Sequence, residues 1–344
     1  MPAGLLVVAH KEFVDQLTSR RFLSIFALLL MISALGIYGG AEDYNENLAS
    51  YSEQLQSATG NDPYSGSLSE KISPLTIFSK MSDYIVLFGT ILGIAMGFDL
   101  ISKEKEEHSL KTLLARPVFR DEIINGKALG SVLALAIALG TAVAVSIAIL
   151  LLVGIVPTLY DFGAILVFAV VSGIFILVYF SLALLMSTVS KDSGSALITT
   201  LIIFVVLSSV VPILGWAAAE SITGTPPASP VSAATGSSSI DAGSMQAYQD
   251  EMQSYWAKRS AFSSAINLLS PDLNYEKMAT AITDPTQAVT MDNNPYSFVE
   301  GPPETTPDLG KLLDAIWANA LALFVLPCVF FGVAYAAFMR TDIR

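Results

Sequence analysis

Long runs without a single charge dominate the pattern of apolar and polar positions along the chain. Five of them, 22–41, 128–160, 162–190, 193–219 and 315–339, hold at least 18 uncharged residues, the length at which a helix crosses the hydrocarbon core of a bilayer. A sixth, Tyr84–Phe98, has only 15 between Asp83 and Asp99. It becomes a span by extending through Ser82 and Ile101, with both carboxylates at the interfaces. Ala128–Tyr160 runs for 33 residues without offering a charged face, which excludes a soluble protein built on one large core. The pattern predicts an all-α polytopic membrane protein whose six transmembrane helices lie at 22–41, 82–101, 128–153, 162–186, 195–218 and 313–339.

Shorter rhythms lie between these runs. Leu6, Phe13, Val14 and Leu17 fall on one side of a helix whose other side carries Lys11, Glu12, Asp15, Gln16 and Ser19, predicting an interfacial elbow helix over 1–21. In the loop 42–81, Tyr44, Leu48, Tyr51 and Leu55 recur at helical spacing. A Pro/Ser/Ala/Gly/Thr linker at 224–239 interrupts the long segment 219–312. Beyond it Tyr248, Met252, Tyr255, Phe262, Ile266 and Leu269 keep a helical rhythm over 244–269 that only Arg259 breaks. Neither of these two helices can bury its face alone, so they are expected to pack into a small extracytoplasmic helical cap. Ser270–Asp272 and the prolines at 285, 295, 302, 303 and 307 are expected to break the following chain into loops.

Charge sets the expected orientation. With both termini cytoplasmic, the inner segments 1–21, 102–127, 187–194 and 340–344 hold 12 of the 18 lysines and arginines, and the outer loops, 154–161 among them, share the rest. That is the positive-inside distribution of a multi-pass plasma-membrane protein. The acids run the other way, 20 of 30 lying outside, so the net charge of −12 belongs to the exterior. Such a surface disfavours anionic partners, and no nucleic-acid partner is expected.

Catalytic chemistry is hard to find. Gly126-Lys127 lacks the upstream glycine of a nucleotide-binding loop, and His10 and His108 lie in no metalloprotease pattern. The single cysteine, Cys328, sits in the last apolar run and reads as a small hydrophobe. Met245, Met252, Met278 and Met291 have no outer histidine or cysteine beside them, so core packing is preferred to a metal site. No enzyme activity and no cofactor are expected of this chain. Apart from Asp83, Asp99 and Asp314 near their ends, the spans carry no Asp, Glu, Lys, Arg or His, which removes the midplane charges of ion-coupled carriers. Energy for any transport would come from elsewhere.

The most informative stretch is Asp99–Gly130. It alternates acid and base, then presents Leu110, Leu113 and Leu114 as a short apolar face, stops at Arg116-Pro117 and begins a new helix near Arg120. Glu104, Glu106, Ser109-Leu110, Leu113-Leu114, Pro117, Arg120 and Gly126-Lys127 match, in order, the loop between the second and third spans of type-2 ABC exporter permeases. His108 stands where that family commonly has glycine. The layout also resembles this family: an elbow helix, six spans and an outer segment before the last. Leu269-Ser270-Pro271 and the large final loop are similar to the subgroup of nitrous-oxide-reductase maturation permeases. The resemblance implies a cytoplasmic coupling helix within 102–127, with Glu104, Glu106, Leu110, Leu113, Leu114, Pro117 and Arg120 contacting the ATPase. It also implies two cytoplasmic ABC ATPase subunits that bind the ATP, a second permease copy as homodimer or heterodimer, and membrane lipid as partners. The alternative is a non-transporting membrane scaffold that binds an extracytoplasmic maturation or envelope partner.

Overall fold

The computed structural model describes residues 3–57, 74–107, 119–228, 242–285 and 309–340, all of them in helices or short connections. The helices are α1 (Ala3–Thr18), α2 (Arg20–Ser57), α3 (Pro74–Glu106), α4 (Arg120–Leu152), α5 (Leu159–Val189), α6 (Ser193–Thr223), α7 (Ala242–Asn267), α8 (Pro271–Thr283) and α9 (Leu309–Arg340). Six of them, α2 to α6 and α9, are long and apolar enough to cross a membrane. The chain is an all-α polytopic membrane protein.

Helix α5 is the hub. Phe168, Phe175, Tyr179 and Phe180 are buried among α3, α4, α6, α8 and α9, while α6 and α9 are the least covered of the six long helices. We call the end of the bundle that carries α1 and the α5–α6 turn the elbow face, and the opposite end the cap face. Close packing relies on glycines spaced four apart, which let helix axes approach. A Cβ on Gly93 would lie 2.7 Å from the Ile176 carbonyl oxygen, and one on Gly97 2.6 Å from that of Phe180. Gly36 and Gly40 bring α2 against Tyr84 and Ile77 of α3 in the same way, and Gly126 and Gly130 bring α4 against α1.

Two helices are not uniform. Within α3, a five-residue π segment, Ile85–Gly89, separates α-helical Ile77–Tyr84 from Thr90–Gly97, and a turn precedes the short helix Ser102–Glu106. Within α6, Val206–Val210 forms another π segment. Such bulges shift the register of a helix face by one residue and are common at functional positions.

Several elements differ in extent from the sequence pattern. The first span and the helix expected after it are one continuous rod, because nothing at 41–45 breaks the helix and α2 runs 38 residues from Arg20 to Ser57. The third helical run begins at Pro74 and carries Asp83 within it. At 271–283, where loops were expected, the chain forms α8, since Pro271 stands at the first turn of that helix, where its missing N–H is no loss. The α7 helix packs along α6, and α8 turns back into the bundle against α3, α5 and α9. The rhythm-breaking Arg259 is buried and fully engaged. It lies over the rings of Trp216 (4.9 Å) and Trp256 (5.7 Å), donates to the Tyr255 hydroxyl (2.9 Å) and faces Glu220 at 3.8 Å.

Candidate functional site

The chemistry-bearing residues of the 102–127 segment meet at the elbow face. Helix Ser102–Glu106 starts where Ser187 of α5 accepts from the backbone N–H groups of Ile101 (3.0 Å) and Ser102 (2.9 Å). A side-chain oxygen from another helix thereby satisfies two of the four N–H groups that a helix start leaves open. The next four residues are alternately basic and acidic, and three of them have assigned places.

Glu104 reaches the Lys127 ammonium at 2.9 Å, and Glu12 of α1 reaches it from the other side, also at 2.9 Å. The three side chains are only 10–15% exposed. Lys105 turns the opposite way. Its ammonium donates to the carbonyls of Thr188 and of Ser190, the latter at 3.1 Å, at the C-terminus of α5. Glu106 accepts from the Ser193 N–H (3.3 Å) at the N-terminus of α6. Each charge thus sits at the helix end whose dipole favours it. Asp192 caps α6, accepting from the Ser195 N–H (2.8 Å) and hydroxyl, and these bonds hold its carboxyl below the usual carboxylate range.

On the outer side of this cluster Arg21 meets Asp99 at 2.6 Å and lies over the Phe98 ring, so the start of α2 is tied to the foot of α3. A cleft of about 610 Å³ opens between α1, α2 and α3, lined by both signs of charge, among them Lys11, Asp15, Lys103 and Glu107. Arg120 opens α4, half-buried, and Glu122 reaches back to the Phe119 N–H (3.3 Å) to close the first turn. Of the residues expected to contact an ATPase, Glu104, Glu106 and Arg120 are therefore placed, two of them in bonds to other helices. Leu110, Leu113, Leu114 and Pro117 lie outside the described residues, as does His108.

Sequence reasoning assigned Glu12 to the polar flank of the elbow helix; the structure turns it inward. Ala9 and Phe13 face α4, Leu6 and Val14 face outward, and this rotation brings Glu12 onto Lys127. A usable signal was present, because Lys127 is the last charge before 33 uncharged residues, and a cation there requires a nearby anion. Ser187 and Lys105 were also missed, being unremarkable until two helix ends were brought beside them.

Six apolar spans, an amphipathic helix packed at one face and a charged segment clamped beneath them define a polytopic membrane protein. The chain matches the ABC-2 family transporter protein model over residues 6–343 and belongs to that family. It is a membrane-embedded permease subunit of an ABC transport system, and the family implies association with ABC ATPase subunits. A search of curated proteins finds no match.

Proposed function

We propose that this permease works in export, receiving the force of ATP hydrolysis through residues 102–117, with the elbow face cytoplasmic. The chain has no nucleotide-binding motif of its own, so hydrolysis belongs to the separate ATPase subunits. The observation that carries this reading is the anchoring of 102–107. Side-chain bonds from this one short stretch reach α1 and α4 through Glu104 and Lys127, α5 through Lys105 and α6 through Glu106. A load applied to the adjoining segment passes into four helices at once, whereas a lipid-resting loop needs no such ties. A ligand or ATPase state can drive the bundle only by favouring one of its conformations, and a rigid mount transmits that preference.

Two permease copies form the working unit in this reading, since α6 and α9 leave broad apolar faces uncovered and the buried interior of one bundle leaves little room for a polar path. The membrane lipids cover what the second copy does not. The nitrous-oxide-reductase maturation subgroup is one branch of this proposal.

The test uses Leu113→Glu, which places a charge in what the reading makes a dry contact. Its cost is on the order of a few kcal/mol, enough to lose most of a complex of modest affinity. Wild type and variant are purified in parallel after equal membrane insertion is confirmed. Co-purified ATPase and permease-stimulated ATP turnover should both fall, and the mass of the wild-type complex should correspond to two permeases. Unchanged values for the variant would refute the coupling role and favour the scaffold alternative.

A further inference from the structure

The cleft between α1, α2 and α3 has two unlike walls. One is a stripe of α3, Leu92, Met96 and Leu100, spaced four apart on one side of the helix over about 12 Å. Phe22, where the apolar run of α2 begins, adjoins it. The other wall is charged, because it is made from the amphipathic helix α1, the start of α2 and residues 103–107, all of them outside the uncharged runs. The space of about 610 Å³ therefore straddles the level at which hydrocarbon gives way to headgroups. Helix α1 is drawn to α4 by the close approaches at Gly126 and Gly130, whereas toward α3 it extends Gln16, whose amide stands 3.5 Å from the Met96 carbonyl oxygen. That asymmetry leaves the cleft on the α2 and α3 side of α1.

Five bases and five acids line it. Half of them hold one another: Arg21 bonds Asp99, and Lys127 bonds Glu12 and Glu104. The remaining five, Lys11, Arg20, Lys103, Asp15 and Glu107, are exposed, and none of their side chains bonds another described residue. Three bases less two acids leave this set with a charge of +1. Lysine and arginine at the foot of membrane spans attract phosphate headgroups. A carboxylate can only accept, so Asp15 and Glu107 call for hydrogens to be donated to them. A phosphocholine headgroup has no hydrogen to donate and sums to zero charge. A singly charged phosphate bearing a glycerol supplies both the charge and the hydroxyls, and the apolar stripe beside it suits the first carbons of the acyl chains, which a small soluble anion lacks.

We infer that this cleft seats the headgroup of an anionic membrane phospholipid, its phosphate on Lys11, Arg20 and Lys103 and its hydroxyls on Asp15 and Glu107. Lys11 and Asp15 belong to α1, Arg20 opens α2, Lys103 belongs to α3 and Glu107 follows it. A seated headgroup thus ties the elbow helix to two spans. The site needs only a bilayer around the spans, so it stands or falls independently of the ATPase reading.

The experiment titrates the purified, delipidated full chain in detergent with dioleoyl-phosphatidylglycerol or dioleoyl-phosphatidylcholine and counts bound lipid by native mass spectrometry. Phosphatidylglycerol should bind more tightly. Lys11→Gln, Arg20→Gln and Lys103→Gln should each weaken it by about fivefold, the factor for about 1 kcal/mol, and leave phosphatidylcholine binding unchanged. All three side chains are exposed and unbonded to described residues, so folding is not at stake. Lys258→Gln, which removes an exposed base of α7 at the cap face, should change neither. Phosphatidic acid carries the phosphate without the glycerol, and wild type should prefer phosphatidylglycerol to it; Asp15→Ala with Glu107→Ala should abolish that preference. Equal binding of the glycerol and choline lipids, an equal loss in Lys258→Gln, or a preference over phosphatidic acid that survives the double variant would each overturn the proposal. Displacement of the lipid by soluble glycerol phosphate at matched concentration would also overturn it, and would make the site one for a free phosphate ester.

Discussion

Lys127 occupies a place where a lone cation could not remain, one-tenth exposed at the foot of a helix that is uncharged from there onward. It persists because Glu12 and Glu104 arrive from two other helices. Removing the cation leaves two facing carboxylates with little water, which is worse than removing all three charges. Lys127→Met should therefore destabilise the protein by about 3–5 kcal/mol, read as a lowered thermal midpoint in detergent. Adding Glu12→Gln and Glu104→Gln to it should recover most of the loss, and a triple variant no better than the single one would contradict the account. At this scale the sequence was half legible. Periodicity identified the stripe of α1, but it cannot say which flank of a stripe faces a neighbouring helix, so Glu12 was given to solvent. The anchoring of Glu104 and Glu106 likewise depends on Ser193 and Lys127, which only the fold brings near.

Between elements, the glycines spaced four apart set how closely helices approach. At Gly97 a methyl group would meet backbone rather than a flexible side chain, so Gly97→Ala must push α3 away from α5 and should cost about 1–3 kcal/mol. Gly140, on an exposed face of α4 with nothing within 4 Å, is the matched control, and Gly140→Ala should be neutral or slightly stabilising. Paired thermal scans of the two variants decide the point, and equal losses would show that helix propensity rather than approach is at work. Apolar runs predict six spans, and six helices among the described residues are long and apolar enough to cross a membrane. The same logic is silent on helices beyond the bilayer. Prolines after 270 were read as breakers, whereas Pro271 begins α8, and nothing in the local pattern says that a polar helix carrying Asp272, Asn274 and Tyr275 turns back among apolar spans. That outcome rests on Tyr179, Ser172 and Asn319, each more than forty residues away in sequence.

For the whole molecule, the uneven distribution of lysine and arginine makes orientation testable. Single cysteines at Ser190, in the turn between α5 and α6, and at Ser238, outside the described residues, are introduced into a Cys328→Ala background. With the elbow face cytoplasmic, a membrane-impermeant thiol reagent applied to intact cells should label only the second; labelling at 190 alone would invert the topology. The same global view gives α2 a mechanical character. At about 1.5 Å per residue its 38 residues make a rod of about 57 Å, nearly twice the hydrocarbon thickness. It is tied at its foot by Arg21 to Asp99 and held near its middle where Gly40 meets Ile77. The arms on either side of that middle contact are nearly equal, about 30 and about 25 Å. At and below that contact Phe22, Leu29, Ile37 and Ala41 are buried against the bundle, while residues 45–50 are exposed, so the rod is a cantilever: a sideways push at the tip near Ser57 bends the outer arm and loads the clamp near Gly40, leaving Arg21 in place.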